Sequence, residues 1–401
     1  MSISLLYHAF RIGNVEYRST RYIGNNVIFK AEMSSAAKSC SFCHGSRVIF
    51  KGRKTRSMHL PPLGRKRCVL ELVMHRLYCK DCDLLFWPRL RFMHGNRRYT
   101  RSFALTVLDL LQFATIKAVA DYLHVGWDMI KEIHKLKLTN IYKKQHLKSL
   151  THLGIDEFSI QKGHRYMTVF VDLQTGRIIH AVEGRSAEAV SPFLKQLARR
   201  AKKLKAIAVD MSRSYIKAIK EHLGHVDIVF DHYHISALAN QAIDEYRKEL
   251  QADLDRQGKS YLKGSKFLFL YNYSNLSENN KKKLQVLLDA NESLFYMYNM
   301  KELLRYFWQF KTPERAREFL YLWCHDALTS GIKPFIHLGL TLNKYKDQIL
   351  NYFKFPITNA MVEGINNKIK TLKRQAYGFR DMEYFKLRLY HLHRTRYSFA
   401  G

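Results

Sequence analysis

The feature that most restricts this chain begins at residue 151, where the hydrophobic pattern changes from a helical period to a strand period. HLGIDEFSI, RYMTVFVDL and RIIHAVEG have strand length and strand composition, and the turn residues QTG separate the second from the third. A helical stretch, SAEAVSPFLKQLARRA, leads to KAIAVDM, a continuous apolar run that ends on Asp210. SRSYIKAIKEHL and VDIVFDHYH then repeat the helix-to-strand step. Unbroken apolar runs of this length belong to the central strands of parallel sheets, because both of their faces are covered.

Three strands as a meander, then helix, strand, helix, strand, is the order of a ribonuclease H-like domain, a three-layer α/β arrangement. Asp156, within the first strand, and Asp210, at the end of the fourth, lie side by side if those strands are neighbours. Phosphodiester chemistry at such a pair uses divalent cations, which take few protein carboxylates and leave their other positions to water and phosphate. A third carboxylate must come from elsewhere. The stretch NAMVEGINNKIKTLKRQAYGF offers Glu363, at the start of a helix that begins near Asn359, a favourable N-cap residue. Glu363, Asn367, Lys370 and Arg374 follow i, i+4, i+7, i+11 and share one face. Residues 364 to 380 carry five Lys or Arg, Lys373 among them, and no acid. Such a basic row beside a metal ligand would hold a phosphate backbone. Each acid also has a plainer reading. Asp156 could be a solvent-facing strand residue, as Glu157 on the opposite face would be; Asp210 could cap the next helix, and Glu363 could simply favour the helix dipole. Asp172 and Asp227 read as turn or strand-edge acids.

Ahead of residue 151 stand two thiol pairs, CSFC (Cys40, Cys43) and CKDC (Cys79, Cys82), of the kind that closes a tetrahedral zinc site. Thirty-five residues separate the pairs, against roughly 15 to 20 in the usual ribbon, so a long hairpin is expected between them. SRVIFKGRK and CVLELVMHRLYC supply its strands, and NVEYRS and NNVIFKAEM supply earlier ones. Four unliganded thiols remain the alternative; Cys68 and Cys324 read as buried small hydrophobes. From Arg47 to Arg101 there are fifteen Lys or Arg and three acids, a plausible DNA contact. SFALTVLDLLQFA, TIKAVADYLHV, a break at Gly126 and WDMIKEIHKLK form either a helix-turn-helix or a plain three-helix packing element. In the first reading the exposed face of the last helix carries Lys131, His134 and Lys135 toward bases.

The expected organisation is a multidomain α/β protein. N-terminal strands and a zinc ribbon occupy 1–100, a helix-turn-helix 101–138, a linker 139–150, the ribonuclease H-like core 151–235, an aromatic-rich helical insertion 236–350, and C-terminal core helices with Glu363 351–401. Hydrophobic residues at 47% are ample for cores of that number. Lys plus Arg exceed Asp plus Glu by 67 − 34 = 33, a footprint for a polyanion, with nucleic acid ahead of an anionic membrane surface. No run of 18 apolar residues is present to span a bilayer, and the N-terminus lacks a basic leader and a cleavage site, so the expected location is the cytoplasm.

Taken in order, the CxxC pairs, the helix-turn-helix pattern, GIDE, VDMS, FDHYH and TNAMVEGINNKIKTLKRQAYGF resemble the ISL3 family of bacterial insertion-sequence transposases, of the DDE type. The resemblance runs from about Cys40 to about Leu392, and its C-terminal motif is the most specific part. It implies that Asp156, Asp210 and Glu363 are a catalytic acidic triad holding Mg²⁺ or Mn²⁺, that Asp231 and His234 form a supporting DxxH signature, and that Cys40, Cys43, Cys79 and Cys82 hold structural Zn²⁺. The implied reaction is metal-assisted cleavage at the element's end, followed by attack of the freed 3′ hydroxyl on target DNA. The implied partners are double-stranded DNA, at the terminal inverted repeats and at the target, and further copies of the chain in a dimer or larger synaptic complex; the implied location is the bacterial nucleoid. A non-catalytic DNA-binding regulator and a metal-dependent nuclease or resolvase are the rival readings of the same residues.

Overall fold

The computed structural model describes residues 3–34, 39–93, 95–144, 147–161, 165–257 and 261–394. Positions 145 and 146 of the expected linker and the last seven residues of the expected C-terminal segment lie outside them. The chain divides into two compact units, Met1–Lys143 with Arg394–Gly401, and Lys144–His393.

The first unit opens with α1 (Ile3–Phe10) and a mixed sheet of β1 (Val15–Ile23), β2 (Asn26–Met33), β3 (Val48–Leu63), β4 (Lys66–Cys79) and β5 (Leu84–Phe86). The order is β1-β2-β4-β3, with β5 on β4. β2 and β4 run parallel, while β3 and β4 form the long antiparallel hairpin expected between the thiol pairs. The alternation of β4 drives its inner residues Cys68, Leu70, Leu72 and Met74 into a core with Phe10, Phe29 and Met58. Three helices follow, α2 (Arg101–Leu110), α3 (Ile116–Tyr122) and α4 (Trp127–Tyr142), packed around Phe103, Val107, Val119, Ile130 and Ile133. Thr100 and Thr115 cap the first two, their hydroxyls accepting from the amides of Phe103 and Ala118.

α4 continues to Tyr142, four residues into the segment expected as a linker. Leu147 and Leu150 of that segment are buried in the core of the second unit, so it is tied down by its own apolar residues.

The second unit is built on β6 (His152–Gln161), β7 (Arg165–Asp172), β8 (Arg177–Glu183), β9 (Ala206–Val209) and β10 (Asp227–Phe230), in the order β10-β9-β6-β7-β8. β6, β7 and β8 form an antiparallel meander, and β9 and β10 extend it in parallel. α5 (Ala187–Arg200) and α6 (Arg213–His222) pack on one face against Ile155, Phe170, Ile207 and Val209. α14 (Ala360–Gln375) and α15 (Met382–His391) cover the other, against Phe158, Met167, Val169 and Val171. Both faces of the central strands are thus covered, as unbroken apolar runs require.

Between β10 and α14 lies a helical stretch: α7 (His232–Arg256), α8 (Lys266–Leu270), α9 (Glu278–Asp289), α10 (Glu292–Tyr306), α11 (Pro313–Thr329), α12 (Lys333–Lys344) and α13 (Lys346–Lys354). Two expected boundaries fall inside helices here, since α7 starts at His232, before residue 235, and α13 spans residue 350. The apolar faces of these helices continue without a break into the core beneath the sheet. Among the described residues no helix is long and apolar enough to cross a membrane.

One contact fixes how α14 sits on the sheet. A Cβ on Gly154 would lie 2.6 Å from Cγ2 of Val362 and 2.9 Å from Leu173, so β6 needs a glycine there for the helix to approach. Valine is stiff at χ1 and cannot swing aside cheaply. Gly154→Ala is expected to destabilise the protein by about 1–3 kcal/mol, the usual cost of overpacking, with a lowered urea midpoint as the readout.

Candidate active site

Asp156 and Asp210 meet through strand register. Gly154 of β6 pairs with Ala208 of β9, and two residues further along each parallel strand stand Asp156 and Asp210. Alternation sends both side chains to the face covered by α14, since Phe158 and Ile160 lie on it while Ile155, Ile207 and Val209 lie on the other. Each aspartate accepts from the backbone: Asp156 Oδ1 from the Glu157 amide at 2.7 Å, Asp210 Oδ1 from the Ser212 amide at 3.1 Å. Burial pushes the carboxyl of Asp156 up to about 6, helped by the charges of Glu157 and Asp210. Burial also raises Asp210.

Through its charge His234 would oppose both shifts. Its backbone amide donates to the Asp231 carbonyl at 3.1 Å, while Asp231 caps α7 by accepting from the amide of Tyr233 at 3.3 Å. Asp231 is one step beyond the Phe230–Val209 pair of β10 and β9, next to Asp210. The DxxH spacing therefore places a buried helix cap next to Asp210 and a histidine in the first turn of the helix it caps.

Glu363 lies in the first turn of α14, exposed. Among the described residues it joins no closed cluster with Asp156 and Asp210; the one tight group of metal-ligating atoms is formed by cysteines. What links its helix to the acids is Asn366, whose Nδ2 donates to Asp156 Oδ2 at 2.8 Å. Three contacts run down α14: Val362 over Gly154, Asn366 on Asp156, and Lys373, whose Nζ donates to the Ser159 carbonyl. Eleven residues of helix and five of strand each advance about 16 Å, so α14 lies along β6 in the same direction. Lys373 is half-buried in this contact and burial lowers its pKa. Of the basic row expected to face phosphates, Asn367, Lys370 and Arg374 are exposed, while Lys373 serves the helix–strand contact.

Other expectations are corrected by the same coordinates. Glu157 does not face solvent, because α6 covers that side and the Tyr215 hydroxyl donates to Glu157 Oε2 at 2.8 Å. Asn359 starts α14 but makes no side-chain cap hydrogen bond. His134 is 8% exposed and turned into the helix packing of α4. Lys131 and Lys135 are half-buried on that helix, with Lys131 Nζ 5.9 Å from the Trp127 ring. Asp172 and Asp227 stand as expected: Asp172 holds a turn, accepting from the Gln174 amide and the Thr175 hydroxyl, and Asp227, first residue of the edge strand β10, pairs with Lys354 at 2.6 Å. Asn366, Gly154 and Tyr215 were not singled out in the sequence. For Asn366 a signal existed: it is a polar residue in the apolar stripe Val362, Ile365, Ile369, Leu372.

In the first unit the four thiols of Cys40, Cys43, Cys79 and Cys82 lie within 4.8 Å of one another and none is in a disulfide. Cys40 and Cys82 are 3.9 Å apart and Cys43 and Cys79 3.7 Å. Sulfurs around a zinc ion at about 2.3 Å stand about 3.8 Å apart, so the set fits a tetrahedral cation. Gly45 makes room, since a Cβ there would lie 2.8 Å from Asp81 Oδ2 and 3.3 Å from Cys43 Sγ. The hydrogen bond to Cys43, then burial, pushes the Cys82 thiol up to about 12; a bound cation would supply the charge that lets it ionise.

Residues 153–389, from β6 through α15, match a transposase family, that of the ISL3 DDE transposases. Over 332 residues the chain is 34% identical to "Transposase for insertion sequence element IS1001" of Bordetella parapertussis, covering 82% of each chain. Over 307 residues it is 25% identical to "Transposase for insertion sequence element IS1557" of Mycobacterium tuberculosis, covering 70% of this chain and 69% of that one. A looser likeness, 13% identity and a TM-score of 0.37, is to a solved "Drosophila P element transposase strand transfer complex", over 76% of this chain and 94% of that one; at that score it does not assign the fold. The protein is a transposase. It belongs to the ISL3 family of insertion-sequence transposases, a DDE family for which divalent metal use is implied.

Two outcomes are expected. Replacing Cys79 and Cys82 together by Ser should remove about one equivalent of zinc per chain, read by elemental analysis of the purified protein, and lower its unfolding temperature. Because Asp156 holds its proton more tightly folded than unfolded, it contributes stability fully present below the ordinary carboxylate pKa and lost as pH rises through about 6. Without added divalent cation, wild type should therefore lose stability relative to Asp156→Asn between about pH 4 and 6, as measured by urea midpoints.

Proposed function

We propose that the second unit is a ribonuclease H-like catalytic core that cuts DNA at the ends of its own insertion element and joins the freed 3′ ends to target DNA. The observation that carries this reading is the pair Asp156, two residues beyond the Gly154–Ala208 pair on β6, and Asp210, directly after the last residue of the neighbouring parallel strand β9, with the helix that bears Glu363 hydrogen-bonded to the first of them. The strand order β10-β9-β6-β7-β8 supports the fold assignment.

The donor set is oxygen only, which suits Mg²⁺ or Mn²⁺. When bound, such ions activate the attacking oxygen and neutralise charge on the leaving one. Asp156 and Asp210 would supply their strand-held carboxylates and Glu363 its exposed one from α14. Lys370 and Arg374, about two and three turns further along the exposed face, would take phosphates of the bound strand. Asp231 would hold the first turn of α7 and, through it, His234 beside the aspartates.

In the first unit, Cys40, Cys43, Cys79 and Cys82 would hold zinc and brace the β3–β4 hairpin, while α2 to α4 would read the terminal inverted repeats as a helix-turn-helix, with Lys131 and Lys135 near the DNA. Joining two ends calls for two or more copies of the chain on double-stranded DNA, at the nucleoid of a bacterial cytoplasm.

The test is a cleavage and strand-transfer assay in Mg²⁺ or Mn²⁺ on DNA bearing the ends that flank this gene, with Glu363→Gln, Asp156→Ala and Asp210→Ala alongside. Joined products that vanish in all three variants, with end binding retained, are expected. Cleavage without joining would favour a nuclease, and binding without cleavage in wild type would leave a regulator.

A further inference from the structure

Asn366 is an expensive residue where it stands. It is 8% exposed, on a helix stripe otherwise made of Val362, Ile365, Ile369 and Leu372, and a leucine would fill the same space without desolvating an amide. Its Nδ2 nevertheless reaches across 210 residues of sequence to Asp156 Oδ2 at 2.8 Å. The other oxygen, Oδ1, accepts from the Glu157 amide. The Asp156 carboxylate is thus gripped by one donor from its own strand and one from α14, which fixes the rotation of the group. An oxygen accepting one hydrogen bond keeps a further lone pair free. The amide oxygen of Asn366 is itself buried with no hydrogen-bond partner among the described residues.

We infer that Asn366 is a positioning residue: its amide sets the angle at which the Asp156 carboxylate presents its remaining lone pairs beside Asp210, and it locks the helix that carries Glu363 to the strand that carries Asp156. The inference rests on the metal-site reading above. Hydrogen bonds to ligating carboxylates orient them, and removing such a bond typically lowers metal affinity about 10- to 100-fold. Packing alone does not require an amide here. Val362 over Gly154 and Lys373 on Ser159 already hold the two ends of the contact.

The test is a titration of the full chain, with its cysteine site loaded with zinc, against Mn²⁺, following free Mn²⁺ by electron paramagnetic resonance. Wild type, Asp156→Ala, Asn366→Leu and Asn366→Ala are compared. Leucine keeps the volume and alanine reduces it, so a shared effect belongs to the lost hydrogen bond and not to packing; should the leucine variant fail to fold, the alanine variant decides. Mn²⁺ binding that is lost in Asp156→Ala and weakened about 10- to 100-fold in the Asn366 variants, with unchanged circular dichroism and DNA binding, is expected. Asn366 variants within about twofold of wild type, while Asp156→Ala abolishes binding, would overturn the inference and leave the metal site standing. Equal Mn²⁺ binding by wild type and Asp156→Ala would overturn the metal reading, and this inference with it.

Discussion

Two like charges held together by strands that cannot move apart set the terms for the rest of the second unit. β6 and β9 pair in parallel from His152 with Ala206 to Gly154 with Ala208, and this central ladder brings together Asp156, two residues further along β6, and Asp210, directly after β9. Water is partly excluded, which strengthens the repulsion. The fold answers with neutral donors: the amides of Glu157 and Ser212 and the side-chain amide of Asn366. No Lys or Arg side chain among the described residues forms an ion pair with either aspartate. A full positive charge there would neutralise the pair and compete with a metal; hydrogen bonds orient the oxygens and leave the negative charge available.

The same logic explains why α14 is attached as it is. Its inner stripe supplies shape at Val362, a hydrogen bond at Asn366 and a lysine at Lys373, each meeting a successive part of β6. Such a run of contacts fixes both the distance and the register of helix on strand, so the position of Glu363 is inherited from the strand that bears Asp156. Gly154 is the geometric condition for this, because any Cβ there would push the helix out at the turn that holds Glu363.

The sheet was legible from sequence because apolar strand runs and turn residues are local signals, and all five strands of the second unit stand where those runs predict. The two aspartates could be singled out because each is a carboxylate set in such a run, Asp156 in the middle of the first and Asp210 at the end of the fourth. Asn366 was not, since the face that counts i+4 from Glu363 selects the exposed neighbour Asn367 and passes over the polar residue in the apolar stripe Val362, Ile365, Ile369, Leu372. His134 was misplaced for a related reason. α4 is weakly amphipathic with lysines on several sides, so periodicity alone did not say which face meets α2 and α3. The linker failed because Leu147 and Leu150 were outweighed by the lysines around them, although two buried leucines are enough to dock a short segment.

The surplus of 33 positive charges can now be set against the acidic site. On the proposed reading, three carboxylates directed at a DNA backbone would repel it over the first several ångströms, and such repulsion falls steeply beyond the screening length of about 8 Å. A basic surface much larger than the site acts over the whole bound length of DNA through counterion release, which depends on how many phosphates are neutralised. The acids can therefore stay uncompensated locally, as a metal requires, while the chain as a whole still attracts DNA. In that reading Lys370 and Arg374 stand at the border between the two regimes: they share an exposed helix face with Glu363, yet at about two and three turns' distance they would hold phosphates without occupying the carboxylate that a cation needs.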